Sequence, residues 1–267
     1  MAVRLIAAPY DSGELDWRMG AGARLIATEP GIGAEAEVVD TLDPGRPQIA
    51  RAFDLASELS ARVRAARAAG DLPVVLAGNC SSSMGTASGL DGRVGVVWFD
   101  AHADLDTPED NRSGFFDVMA LSTLTGGAWQ ALAATIPGFR PVAEEDVVLA
   151  AVRDLEPYQR ERMEGSSVEV VPGSVDAGRF AAALERLRAM DAVYLHIDLD
   201  ALDASEGRAN QYAATGGPSA DALLDRVGAV LETLPVRAVA LTAYDPSADP
   251  ERRVLRLAQR LLARLGA

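Results

Sequence analysis

Val94-Gly95-Val96-Val97-Trp98-Phe99-Asp100-Ala101-His102-Ala103-Asp104 runs from an apolar strand directly into Asp, His and Asp at alternating positions. The run Val94–Phe99 is short and rich in β-branched and aromatic residues, which reads as a strand buried on both faces. If the backbone stays extended past Phe99, then Asp100, His102 and Asp104 share one side. A second segment, His196-Ile197-Asp198-Leu199-Asp200, repeats the arrangement at the end of another apolar strand, Ala192–Leu199.

Outward from these two segments, short β runs alternate with helical stretches. Further strands are expected at Val3–Ala8, Glu37–Thr41, Val74–Leu76, Val147–Val152, Val168–Val171 and Val236–Leu241. Helices are expected at Ala21–Thr28, from about residue 50 to 69, at Met119–Thr125, Pro157–Met163, Ala181–Met190, Ala220–Thr233 and Arg252–Leu265, with helix plus loop over Trp129–Glu145. This alternation is the signature of a mostly parallel sheet covered on both faces, a three-layer α/β/α arrangement in the α/β class. Without a repeat, a low-complexity linker or a charge block, residues 1–267 read as one domain, with a break near Gly173 as the alternative. Ligands of such folds bind at the carboxyl ends of the strands, where the acidic segments lie.

Composition narrows the field. The chain has 267 residues, 49% hydrophobic and 24% charged, the mixture of a soluble globular protein with a sizeable core. With 39 acidic against 25 basic residues, its net charge of −14 repels phosphate backbones and anionic lipids. No nucleic-acid or membrane-surface role is therefore expected, and the arginines of the closing helix read as a solvated or subunit-facing side. A single cysteine excludes an internal disulfide framework. No apolar run approaches the ~20 residues of a membrane helix. The N-terminus turns acidic too quickly for a secretory signal, so a cytoplasmic location is expected.

Asp100, His102, Asp104, Asp198 and Asp200 gather near strand tips with no lysine or arginine in either segment, and both histidines of the chain, His102 and His196, are used there. Aspartates at strand ends are often turn formers or helix caps. Several carboxylates in one partly buried site, however, repel one another and are costly to desolvate, and a divalent cation offsets this most compactly. Imidazole plus carboxylate suits manganese, zinc, iron or nickel, and two ions within ~4 Å can make a shared water a hydroxide at neutral pH. His196 lies deeper in its strand and reads as a hydrogen-bonded core group.

These segments resemble the arginase/agmatinase superfamily, the ureohydrolases. The likeness runs from Ala8-Pro9 to Tyr244-Asp245-Pro246, through Asp-Ala-His-x-Asp at Asp100–Asp104, Thr107-Pro108, Ser113-Gly114, and Asp198-Leu199-Asp200 with Leu202-Asp203. The resemblance implies an α/β/α fold with a manganese pair that hydrolyses guanidinium compounds to urea and an amine, in a homo-oligomer. It makes Asp100 and Asp198 bridging ligands, His102 and Asp200 ligands of one ion, and Asp104 a ligand of the other. The family's Gly-Gly-x-His-Ser becomes Ala77-Gly78-Asn79-Cys80-Ser81, so Cys80 stands where a histidine completes the Asp104 site. A thiolate is a softer ligand, better matched to zinc or iron. An inert buried thiol or a cysteine nucleophile are the other readings of Cys80.

Two further departures bear on chemistry. Asp117, in Ser113-Gly114-Phe115-Phe116-Asp117, stands where the family has a proton-shuttling histidine, and Ala243 where it has the glutamate that pairs with guanidinium. Asp117 and Asp245 are the candidates to replace that carboxylate. Among substrate contacts, Ser113 corresponds to a residue near the substrate carboxylate, Glu156 to one near an α-amino group, and Asp106 replaces an asparagine. Phe115 and Phe116 add apolar wall, and the loop from Ser205 to Ala214 is longer than in relatives. The expected activity is manganese-dependent hydrolysis of a C–N bond in a small guanidino or amidino compound, with Asp100, Asp104 and Asp117 as catalytic groups. A modified guanidinium such as N-hydroxyarginine fits better than arginine, because hydroxylation lowers basicity. The alternatives are an inactive, scaffold-like relative and, further off, a cysteine-based hydrolase.

Overall fold

The computed structural model describes residues 2–28 and 35–267. From the N-terminus, β1 (Val3–Ala8) leads into a small hairpin, β2 (Tyr10–Asp11) with β3 (Glu14–Leu15), then helix α1 (Met19–Thr28) and β4 (Glu37–Val38). Helix α2 (Gln48–Ala68), β5 (Leu72–Ala77), a 3-10 turn at Cys80–Ser82, α3 (Ser83–Ser88) and β6 (Val94–Phe99) follow. After a loop, α4 (Ala120–Leu124) and α5 (Gln130–Ala133) precede β7 (Val147–Ala150), α6 (Pro157–Glu164), β8 (Glu169–Val171) and α7 (Ala177–Leu184). The chain closes with β9 (Ala192–Asp198), α8 (Ala220–Thr233), β10 (Val236–Thr242) and α9 (Arg253–Leu265).

Among the described residues, eight strands form one sheet in the order β4-β1-β5-β10-β9-β6-β7-β8, every neighbouring pair parallel. The sheet is covered on both faces because its strands alternate two apolar sets. Val97 and Phe99 of β6, with Leu195 and Ile197 of β9, pack with Ile26 of α1, Phe180 of α7, Val227 of α8 and Leu261 of α9. Trp98 and Tyr194 point the other way, toward Leu59 and Val63 of α2 and Leu121 of α4. Each fully buried Leu, Ile or Phe contributes ~1.5–3 kcal/mol, so these two layers carry the fold. No helix of the described residues is long and apolar enough to cross a membrane.

Several boundaries differ from the sequence reading. The hairpin β2–β3 was not expected, since two-residue strands are too short to show an alternating pattern. The strand expected at 37–41 is only Glu37–Val38. Much of 129–145 is irregular beyond the single turn of α5. The helix placed at 181–190 begins instead at Ala177, where Asp176 accepts a bond from Arg179 N and caps it, and it tightens into a 3-10 turn after Leu184.

Four adjacent strands, β5, β10, β9 and β6, end at the same edge at the centre of the sheet. At the end of β5 the chain needs a glycine. A Cβ on Gly78 would lie 2.3 Å from the Tyr10 carbonyl oxygen, so its absence lets the β2–β3 hairpin close over this edge.

Candidate metal centre

The four central strand ends deliver Cys80, the segment Asp100–Asp104, Asp198 with Asp200, and Ala243 into one hollow of about 80 Å³. Parallel pairing of β6 with β9 sets Trp98 beside His196 and Phe99 beside Ile197, which brings the two acidic segments side by side. The backbone does not stay extended past Phe99. Asp104 adopts a left-handed φ of 51°, and this turn, rather than strand alternation, returns its side chain to the hollow that Asp100 and His102 share.

Each carboxylate is held by named donors. Asp100 Oδ1 accepts from His102 N at 2.7 Å and Oδ2 from Trp98 Nε1 at 3.0 Å. Asp198 Oδ1 accepts from Asp200 N at 2.8 Å, and Oδ2 from the Cys80 thiol at 3.0 Å. Asp200 accepts from Ala101 N at 3.3 Å and Asn210 Nδ2 at 3.2 Å. Asp104 Oδ2 is buried with no hydrogen-bond partner at all.

The electrostatics show how poorly this group tolerates its own charge. Burial, with Asp200 nearby, raises the carboxyls of Asp100 and Asp198, and Asp198 lies well above the ordinary range. Burial, then Asp100 and Asp117, do the same to Asp104. Burial and Asp198 push the Cys80 thiol well up, so it is a neutral donor here. Burial alone would lower His102, but Asp200 and Asp100 overcome it and bring the imidazole up to about 9. Its Nδ1 sits 3.2 Å from Asp100 Oδ1 and 3.5 Å from Asp200 Oδ2, so a proton occupies the place of a cation.

Two donor groups, Asp100–His102–Asp200 and Cys80–Asp100–His196, each offer ligand atoms within 4.8 Å of one another. The donor set therefore fits divalent ions, with Asp104 Oδ2 aimed into the same hollow and unsatisfied. His196 fits less well as a ligand. Its ring stacks on Trp98 at 3.6 Å, Nδ1 meets the Tyr194 hydroxyl at 2.8 Å, and Nε2 meets Thr242 Oγ1 at 3.3 Å. Burial lowers its pKa to about 3, so it stays neutral, a packed group beneath the site as expected.

The other expected residues divide. Asp117 lines the hollow, yet its carboxylate accepts from Asn79 Nδ2 at 3.0 Å, Cys80 N at 3.0 Å and Ser81 N at 2.7 Å, pinning the turn that carries Cys80. Burial outweighs these donors and raises it to about 7. Phe115 also lines the hollow and stacks on Tyr212 at 5.7 Å.

Asp106, Ser113, Glu156 and Asp245, expected as substrate contacts, do not line the hollow. Asp106 is buried and accepts from Tyr158, Gln159 and Asn111. Ser113 turns to Asn111 Oδ1. Glu156 is an exposed cap of α6 in a reciprocal box with Gln159. Asp245 caps the 3-10 turn at Pro246–Ala248 through Ser247, so it does not stand in for a carboxylate at Ala243.

The sequence reading missed Asn210, Tyr212 and Arg153. Asn210 links Asp200 to the Ala243 carbonyl, donating to the latter at 2.9 Å. Arg153 donates to the carbonyls of Ala151, Asp200, Leu202, Ala214 and Thr215, fastening the turn after β9. The only signal for the first two was the unusual length of the loop from Ser205 to Ala214.

Comparison with known proteins agrees with this geometry. A family model described as the Arginase family matches residues 2–266. An arginase of Staphylococcus aureus (strain MRSA252) is 30% identical over 176 residues, covering 62% of this chain and 57% of that protein. An arginase of Bacillus caldovelox is 33% identical over 147 residues, 51% and 49% of the two chains. The matched region thus spans about half the length of these curated relatives. Among solved structures, arginase from Bacillus subtilis superposes with a TM-score of 0.85 at 23% identity, over 99% of this chain and 98% of that one. The formimidoylglutamase from Bacillus subtilis gives 0.77 at 17%, over 99% and 86%. At these identities the structural likeness speaks for the fold alone.

Proposed function

The chain belongs to the arginase family, and from that premise we propose that it is a metal-dependent hydrolase cleaving a C–N bond of a small guanidino or amidino compound. The observation that carries this reading is the Asp100–His102–Asp200 donor group beside a buried Asp104 oxygen with no partner. Up to two manganese ions would be held there by Cys80, Asp100, His102, Asp104, Asp198 and Asp200. Once bound, such ions supply a water activated at neutral pH and a Lewis acid for the planar carbon.

The chain's own residues do the rest. Asn210 and the Ala101 amide hold Asp200 in place. Phe115 and Tyr212 form an aromatic wall that limits water access. Asp117, raised by burial to about 7, carries a proton in about half of the molecules at neutral pH, and that proton can go to the departing amine. Ala243 leaves the cation end of a substrate without a carboxylate partner. A weakly basic, modified guanidinium such as N-hydroxyarginine is therefore favoured over arginine.

The test is metal analysis of the purified protein with a urea and hydroxyurea release screen on arginine, agmatine, guanidinobutyrate and N-hydroxyarginine. Asp100→Asn should lose metal and activity together while keeping a cooperative thermal transition. Activity that persists in metal-stripped protein overturns the proposal.

A further inference from the structure

The hollow holds five buried aspartates, and no lysine or arginine lines it. Beyond the carboxylates, Cys80, His102 and Asn210, its walls are Met19, Phe115, Val118, Tyr212 and Ala243. A substrate carrying its own carboxylate would meet repulsion there unless a cation waits at the mouth. One does. Arg18 immediately precedes Met19, in a left-handed turn (φ 43°) at the start of α1, whose positive dipole end adds to its charge.

Its guanidinium lies 5.0 Å from the centre of the Trp17 ring and within hydrogen-bonding reach of the Tyr212 hydroxyl. Nε forms an ion pair with the buried Asp11 Oδ2 at 3.8 Å, too long for a hydrogen bond. The side chain is 25% exposed. Tyr212 and the carboxylates of Asp11 and Asp245 are its polar neighbours, and no hydrogen bond to either carboxylate ties up its five N–H donors.

Other arginines near this face are committed. Arg153 spends its donors on backbone carbonyls, Arg51 on the Gly13 carbonyl and Glu14, and Arg112 lies over the Tyr158 ring. Trp17 and Tyr212, which flank Arg18, are 47% and 37% exposed, and with Leu15 they are the large apolar side chains that the described residues leave in water. Apolar flanks thin the water around a guanidinium and strengthen its hold on an anion.

We propose that Arg18 is the anion-binding residue of the substrate pocket, selecting a guanidino or amidino compound whose far end bears a carboxylate. The inference rests on the hydrolase reading above and relocates the carboxylate contact from Asp106 and Ser113, which face elsewhere, to the rim between Trp17 and Tyr212.

The test uses the manganese-loaded full chain and two probes, N-hydroxy-L-arginine and its decarboxylated analogue, with affinities measured by calorimetry. The wild type should prefer the carboxylate-bearing probe about tenfold, as one charge-assisted, partly exposed contact allows, and the preference should shrink as ionic strength rises. Arg18→Met should erase the preference by weakening only the carboxylate-bearing probe, and Arg18→Lys should restore part of it. A preference that Arg18→Met leaves intact, or an equal loss for both probes, overturns the assignment. A wild type that binds both probes equally at every salt concentration overturns it without any variant. If neither probe binds the metal-loaded wild type, the guanidino reading itself fails, and the assignment to Arg18 with it.

Discussion

Asp106 is where the sequence and the structure assign different work to one residue, and replacing it separates them. Its carboxylate is 2% exposed and accepts three hydrogen bonds of 2.9 Å, from Tyr158 Oη, Gln159 Nε2 and Asn111 Nδ2. Burial and the bond to Asp106 push the Tyr158 phenol up to about 12, consistent with a hydroxyl that donates. Hydrogen bonds to a charged acceptor contribute ~1.5–3 kcal/mol each, but they are not additive, and half-buried partners regain water. Asp106→Ala should therefore cost about 3–5 kcal/mol, which for a chain of this size lowers Tm by roughly 8–15 °C.

Thermal and urea melts of the metal-loaded protein measure this. Tyr158→Phe alone should cost about 1–2 kcal/mol and should add little on top of Asp106→Ala, because the two share one bond. Metal content should not change. If Asp106→Ala melts within about 1 kcal/mol of the wild type while raising KM for a carboxylate-bearing substrate, the structural role is refuted and the substrate role reinstated.

The metal-free protein should lose stability as pH rises from about 6.5 to 9, above the range in which His196, lowered to about 3, adds stability with rising pH. Asp117, raised to about 7, and His102, raised to about 9, both bind protons more tightly folded than unfolded, so their contribution is full at low pH and lost as each is titrated. Manganese should reverse the slope, because ions displace those protons; a metal-free Tm that climbs over this range would contradict it. Arg153→Met leaves five carbonyls short of a donor, so a loss of about 2–4 kcal/mol and faster metal release to a chelator are expected in stopped-flow competition, whereas an unchanged release rate would mean the turn after β9 holds itself.

The sheet was legible because its buried strands are continuous apolar runs that no amphipathic helix imitates. The acidic segments were legible because unneutralised carboxylates after such runs demand a reason. What escaped was local geometry. The turn at Asp104 is a left-handed residue that is not glycine, with no pattern to announce it. Asp106 and Asp104 are both aspartates two residues apart in the same loop, yet one enters the hollow and the other turns to α6, a choice made by Tyr158 and Gln159 some fifty positions later. Asn210, Tyr212 and Arg18 act through partners distant in sequence, and only the folded chain assembles them.

The pairing of β6 with β9 also fixes an order of events during synthesis. Cys80 and Asp198, which share a hydrogen bond, are separated by 118 residues, and the strand between β5 and β9 is supplied by β10, the last to be made. A nascent chain that has exposed Asp100, His102 and Asp104 owns only fragments of a coordination sphere. An ion held by both acidic segments would reach full affinity only after β9 and β10 have been made, because before then just part of the donor set exists.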